Sequence, residues 1–315
     1  MSPKKRTSNI DLVIPVFNEE GVIEKIHAQI RAVVDQIPHK FRFLYVDDGS
    51  DDGTVASLRS IAASDRRVEI LRLSRNFGHQ AALSAGIDHS TGDIVISMDG
   101  DGQHPPEMIP QMIDLVRQGY DIVQAQRVAE SKPSFFKTWT SGTFYWILNT
   151  ISGTHIVAGA ADFRAMSRQA VDALKAMPEF HRFLRGMISW IGYPSVILPY
   201  HQPPRVAGRS KYSLGKMFRL ASDAIFSFSM IPLYIGLSSG LLFFVLAFVQ
   251  LTYVFNLWLT DSTEQVVPGW SSLMAVLLIA SGIIMILLGF IGVYVGYIFQ
   301  EVKRRPVYLI KKREE

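Results

Sequence analysis

The 315-residue chain has no cysteine. That excludes disulfides, thiolate metal sites and a cysteine nucleophile, and it fits a reducing compartment. The N-terminus lacks a long apolar run. After the basic MSPKKRT, the stretch Ile10 to Phe17 is broken by Asp11 and closed by Asn18-Glu19-Glu20. This is too short for a secretory signal, so the front of the chain is expected to stay in the cytoplasm. Neither G-x-G-x-x-G nor G-x-x-x-x-G-K-[ST] follows a strand-like run, which argues against a dinucleotide-binding oxidoreductase and a P-loop nucleotidase.

Further along, charge itself is missing. No charged residue lies between Asp223 and Asp261, or between Glu264 and Glu301. Each gap exceeds the ~20 apolar residues that cross a ~30 Å hydrocarbon core, which predicts membrane spans near 233–257 and 271–297. Acidic residues are absent from 201–222, where Arg205, Arg209, Lys211, Lys216 and Arg219 stand alone. Lys303, Arg304, Arg305, Lys311, Lys312 and Arg313 follow the second gap, and the connector carries only Asp261 and Glu264. The positive-inside rule then puts both ends in the cytoplasm of a multi-pass inner-membrane protein. Residues 214–228 are expected to lie along the interface as an amphipathic helix, and 135–151 reads equally as a core or an interfacial helix. Two-span subunits of this kind are able to associate laterally as a homo-oligomer. With a net charge of only +4, no nucleic-acid partner is expected.

What precedes the gaps is an alternation. Strand-like runs at 10–17, 41–47, 68–74, 93–99 and 121–127 are separated by helix-like segments at 19–36, 53–64, 78–89 and 106–118. The alternation predicts an α/β fold with a mostly parallel sheet and helices on both faces. Ligands of such sheets bind outside the carboxyl ends of the strands. Four of those ends carry polar clusters: Asn18-Glu19, Asp47 to Ser50, Ser74 to Asn76 and Asp99 to Gln103.

The last cluster carries the most chemistry. Asp99 and Asp101 stand two apart, so side-chain alternation points both the same way. Two carboxylates suit one hard divalent cation, Mg²⁺ or Mn²⁺, that leaves positions for phosphate oxygens. Gln103 and His104 are further ligands or supporting groups. Asp48 reads as a hydrogen-bond partner for a ribose or base, and Arg75 as a contact to a diphosphate.

VIPVFNEE (13–20), VDDGSDDGT (46–54), LSRNFGHQAALSAGID (73–88), MDGDGQHPPE (98–107) and ADFRAMSR (161–168) together resemble family 2 glycosyltransferases. The nearer resemblance is to polyprenyl-phosphate hexosyltransferases of the dolichyl-phosphate mannose synthase and undecaprenyl-phosphate glucosyltransferase type. It covers almost the whole chain, including the basic RSKYSLGKM (209–217). The Q-x-x-R-W motif of processive polysaccharide synthases is absent. Gly100 stands where relatives often have alanine, a departure expected to matter little.

The resemblance implies a GT-A-like cytoplasmic domain over 1–205, a basic linker and interfacial helix over 206–230, two spans within 231–300 and a basic tail over 301–315. It implies that Pro15, Phe17 and Glu19 line a base pocket, that Asp48 holds the nucleoside, and that Asp99, Asp101 and Gln103 form the metal and diphosphate site. Asp162 would sit where the acceptor attacks, with Arg164 beside it. Arg127, Arg209 and Lys211 would be cationic groups for donor or acceptor phosphates. The implied reaction is inverting transfer from a nucleotide diphosphate sugar to a polyprenyl phosphate in the bilayer, for envelope glycan or lipid glycosylation. Another reading, a non-catalytic membrane assembly partner that retains the fold, is disfavoured by the intact Asp99, Asp101, Gln103 and Asp162.

Overall fold

A computed structural model describes residues 7–128, 160–180, 182–201, 231–259 and 269–314. The N-terminal unit contains β1 (Asn9–Val16), α1 (Ile23–Val34), β2 (Lys40–Asp47), α2 (Thr54–Ser64), β3 (Val68–Leu73), α3 (His79–His89) and β4 (Ile94–Ser97). There follow a 3-10 turn (Pro106–Met108), α4 (Ile109–Arg117), β5 (Ile122–Val128), β6 (Ala160–Ser167), α5 (Arg168–Lys175), α6 (Leu184–Ile191) and β7 (Ser195–His201). Two long helices, α7 (Ile231–Leu259) and α8 (Trp270–Lys303), precede a last strand, β8 (Ile310–Glu314).

The eight strands form one sheet in the order β7-β5-β6-β4-β1-β2-β3-β8. It is mixed rather than mostly parallel. β1, β2, β3 and β4 pair in parallel, as do β5 and β7, but β6 runs antiparallel between β4 and β5, and β8 antiparallel against β3. The expected α/β fold therefore stands, with β6 to β8 added to the five strands that the apolar runs reveal.

Strand alternation builds the core. Ile10, Leu12 and Ile14 of β1 pack on one face with Ile23, Ile26 and Ile30 of α1 and Leu58 and Ile61 of α2. On the other face α3 comes unusually close, because its buried residues are Ala81, Ala82, Leu83, Ser84, Ala85, Gly86 and Ile87. A Cβ at Gly86 would lie 2.2 Å from Val13 Cγ1 and 3.1 Å from Val46 Cγ2. The helix thus rides low on the sheet and delivers its first residues to the carboxyl edge.

The C-terminal helices form a second unit over 222–304, described by itself. α7 has 29 residues and α8 has 34. Among the described residues, Ile279–Lys303 is long and apolar enough to cross a membrane, with a mean hydropathy of 2.3. The expected interfacial helix at 214–228, the 135–151 stretch and the whole 206–230 linker lie outside the described residues.

Replacing a helical glycine by alanine ordinarily favours the helix by roughly 0.5–1 kcal/mol. Gly86→Ala is expected to reverse that sign and destabilise the domain by about 1–3 kcal/mol, through overpacking against Val13 and Val46. Thermal unfolding in detergent checks this, and an unchanged or raised midpoint would refute the close approach.

Candidate active site

The carboxyl ends of β1 and β2 are stitched together before any chemistry is placed on them. The Asn18 amide donates to Ser50 Oγ at 3.0 Å, and Asn18 Oδ1 accepts from the Asp51 amide at 3.1 Å. Glu19 N donates to Thr54 Oγ1 at 2.8 Å, and Glu20 Oε2 accepts from the Gly53 amide at 3.1 Å. Pro15, at the buried end of β1, and the half-buried Phe17 and Glu19 therefore sit on one fixed ledge.

Asp48 works on the backbone. Its Oδ1 accepts from the Phe77 amide at 2.8 Å and its Oδ2 from the Gly78 amide at 2.9 Å, and the residue is 3% exposed. Burial pushes its carboxyl pKa up against the pull of those two amides. Asp48 thus pins the turn that leads into α3. Gly49 makes the approach feasible: its φ is +71°, and a Cβ there would strike the Arg75 carbonyl carbon at 2.4 Å. Arg75 itself is exposed and lies over the Phe77 ring at 4.1 Å.

At the centre is Asp162, on β6. Its Oδ1 accepts from Arg164 Nη2 at 2.8 Å and from Arg185 Nε at 3.2 Å. Its Oδ2 accepts from Arg185 Nη2 at 3.0 Å and Gln80 Nε2 at 3.4 Å, with His79 Nε2 at 3.3 Å. Burial alone would raise its pKa, but Arg185, His79 and Arg164 outweigh it and hold the carboxyl well below the usual range. Burial lowers Arg164 to about 10, which leaves it charged at neutral pH. His79 also feels burial working against its charge, yet Asp162 and Asp99 raise it to about 9. One carboxylate therefore sits among three cations, and the excess positive charge suits an anionic ligand. Arg164 Nε and Nη1 are buried without a hydrogen-bond partner.

Asp99 faces this cage. Its Oδ1 lies 3.5 Å from His79 Nε2 and is buried without a hydrogen-bond partner. Asp101 Oδ1 accepts from the Gln103 amide at 3.0 Å, which closes the turn. Among the described residues no group of three His, Cys, Asp or Glu is gathered as a metal cage. A cation here would draw on Asp99, Asp101 and the Gln103 amide oxygen, and on a ligand's own phosphate oxygens. That hard-oxygen set fits Mg²⁺ or Mn²⁺, and the buried Asp99 oxygen that accepts no hydrogen bond is the observation that favours it.

His104 is a brace. Its Nδ1 accepts from the Asp99 amide at 2.8 Å, and its ring stacks on Phe163 at 5.0 Å with planes 12° apart. Phe163 follows Asp162, so this stack ties the two acidic positions together. Gly100 matters more than expected from sequence, since a Cβ there would meet Val16 Cγ1 at 2.7 Å.

The structure brings Asp99, Asp162 and Arg164 into one cluster through His79, while Asp101 and Gln103 are joined to each other in the turn that follows Asp99. Arg127 is exposed at the end of β5, in register with Tyr200. Burial, then Asp99, pushes the Tyr200 hydroxyl up to about 12, so it remains a donor. Arg209 and Lys211 lie outside the described residues. Sequence reasoning missed Arg185, His79, Gln80 and Tyr200, although His79 and Gln80 stand in the quoted LSRNFGHQ segment and Arg185 in HRFLRG.

Residues 11–174 match the sequence profile described as Glycosyl transferase family 2. A bactoprenol glucosyl transferase from Shigella phage SfX is 38% identical over 308 residues, 97% of this chain and 99% of its own. A prophage bactoprenol glucosyl transferase homolog from Escherichia coli is 38% identical, covering 96% of this chain and 98% of its own. Among solved structures, mannosyl-3-phosphoglycerate synthase from Rubrobacter xylanophilus superposes with a TM-score of 0.50 at 16% identity, over 69% of this chain and 72% of its own. That last likeness concerns the fold.

Asp162→Asn would leave Arg164 and Arg185 without their shared anion, and a loss of about 3–5 kcal/mol is expected. The pH dependence gives the sign. A carboxyl held below its ordinary 3.8 stabilises the fold above that pH and loses the contribution as pH falls toward its folded value. Wild-type unfolding should therefore steepen below about pH 4 and the variant's should not. Thermal melts from pH 3 to 7 check both.

Proposed function

We propose, for a chain that belongs to glycosyl transferase family 2, the inverting transfer of a hexose from a nucleotide diphosphate sugar to a polyprenyl phosphate such as undecaprenyl phosphate. The chain is a transferase enzyme; the particular donor and acceptor are our reading. UDP-hexose is the favoured donor and GDP-mannose the next. The observation that carries the acceptor half is the end-to-end likeness to bactoprenol glucosyl transferases, which spans 96–97% of this chain and so takes in the long apolar helices.

In this reading α7 and α8 both cross the bilayer. At about 1.5 Å per residue, helices of 29 and 34 residues exceed a ~30 Å hydrocarbon core. The basic flanks then keep the catalytic domain and both termini on the cytoplasmic side. Arg209 and Lys211 would attract the acceptor phosphate at the lipid surface.

Donor binding uses the ledge of Pro15, Phe17 and Glu19 for the base, with Asp48 holding the wall of the pocket through the turn at Phe77 and Gly78. Asp99, Asp101 and Gln103 would hold the divalent cation. When bound, that cation neutralises charge building on the departing diphosphate. Arg75 and Arg127 are cationic groups suited to the same diphosphate.

The acceptor needs little activation. A phosphate monoester has a second pKa of about 6, so at neutral pH its oxygen is already a dianionic nucleophile. Its O–C1 bond forms as the C1–O bond to the diphosphate breaks, on the opposite face of the sugar, and no proton has to move. Asp162 is poorly suited to be a base, because both its oxygens accept from cations and its pKa is low. Its work is to hold Arg164, Arg185 and His79 where their excess charge meets the acceptor phosphate.

The experiment is incubation of membranes containing the protein with radiolabelled UDP- and GDP-sugars and undecaprenyl phosphate, followed by lipid extraction. A sugar-labelled lipid should form, should vanish with chelator, and should fall at least ~100-fold in Asp99→Ala, on the scale of losing a preorganised charge partner. Sugar release to water without labelled lipid would replace this reading with a hydrolase. For Asp162→Asn, residual turnover should rise with pH as the acceptor becomes dianionic, with a midpoint near 6. A large, pH-independent loss at unchanged acceptor affinity would restore the base role.

A further inference from the structure

The segment after α8 is woven into the sheet. β8 pairs antiparallel with β3, with Leu71 opposite Arg313 and Leu73 opposite Ile310. The Ser74 amide donates to the Leu309 carbonyl at 2.8 Å. The Tyr308 hydroxyl donates to Asp88 Oδ2 at 3.1 Å, and its ring stands edge-on to His89 at 6.2 Å. Arg313 Nε lies 2.7 Å from Glu69 Oε1, and Arg42 Nη1 lies 3.0 Å from Glu69 Oε2. Since Arg42 also bonds Asp11, a line of alternating charge crosses β1, β2, β3 and β8. Such cross-strand pairs favour one register over its neighbours.

We propose that residues 308–314 are a clasp that ties the foot of α8 to the catalytic sheet and so limits how far the active site can stand from the bilayer. The proposal rests on the reading of α8 as a membrane span and of the acceptor as lipid-borne. Only four residues, 304–307, separate Lys303 from Tyr308, and five extended steps span at most about 18 Å. The other covalent link described by the sequence runs through residues 202–230, a far longer path. A short second tether keeps the site at high effective concentration over the lipid surface, and releasing it lowers that concentration. The contacts are specific enough to be undone singly: one hydroxyl, one ring and one ion pair, beside the strand ladder.

Because the chain has no cysteine, a Ser60→Cys substitution on the exposed side of α2 gives one dye position. Energy transfer from that dye to labelled lipid, in vesicles holding the full-length protein, reads the height of the domain without any reaction. In Tyr308→Phe with Arg313→Glu, transfer should fall or broaden, and Arg313→Lys should keep the wild-type value. Unchanged transfer in the double variant overturns the clasp, whatever the enzyme does. Activity supplies the consequence. The double variant should lose at least about fivefold in rate on bilayer undecaprenyl phosphate, mainly through KM, and stay within about twofold on a short water-soluble prenyl phosphate. Equal losses on both acceptors would mean a damaged domain and would also overturn it. If wild type uses neither acceptor, the transferase reading fails while the energy-transfer result still decides the clasp.

Discussion

The cationic cluster at the carboxyl edge depends on one buried carboxylate, Asp162. Such a charge is tolerable only when it is paired and hydrogen-bonded, and its partners come from three separate places: Arg164 on its own strand, Arg185 on α6, and His79 and Gln80 at the start of α3. Satisfying one anion therefore assembles the site. Gln80 passes the constraint on, because its Oε1 accepts from the Leu184 amide and so fixes the first turn of α6. Ser97, the last residue of β4, donates to the Asp162 carbonyl at 2.8 Å and holds β6 beside the strand that leads to Asp99. The cationic excess around Asp162 belongs to the same arrangement that keeps the domain folded, so binding charge and structural charge are one set.

Much of this was legible in the sequence, for identifiable reasons. β1 to β5 are buried strands, and such strands read as continuous apolar runs closed by turn residues. β6 hides because Asp162 and Arg164 occupy alternate positions of AADFRAMS, and their mutual pairing removes the apolar pattern that would announce a buried strand. β7 carries Pro199 and leaves Ile197 46% exposed, as an edge strand can. β8, written IKKRE, looks like a topology signal because lysine-rich edge strands are polar by design. Among the candidate site residues, Asp99 and Asp101 stand out in the sequence by their position at a strand end. His79 and Gln80 were not, since a helix's first turn reads as capping, and Arg185 lies 23 residues from Asp162 on a helix too short for periodicity to expose.

Two residues gained a structural role once geometry was known. Asp48 reads from sequence as a ligand contact, and each of its oxygens also accepts from a backbone amide of the next loop. His104 had no assignment, and it proves to hold the Asp99 amide while stacking on the neighbour of Asp162. In both cases polar side chains at the edge hold loops still so that other side chains can act. A sequence displays which polar groups are present and is silent on which of them spend their bonds on backbone.

The pairing of β8 with β3 also has a bearing on biosynthesis. About 240 residues separate the two strands, and at ~5–20 residues per second that is tens of seconds of translation. Throughout that interval β3 has no partner on its outer side, and both long apolar helices must leave the ribosome before one arrives. The sheet is therefore completed only after both long helices have been synthesised, and until then β3 presents an open strand edge.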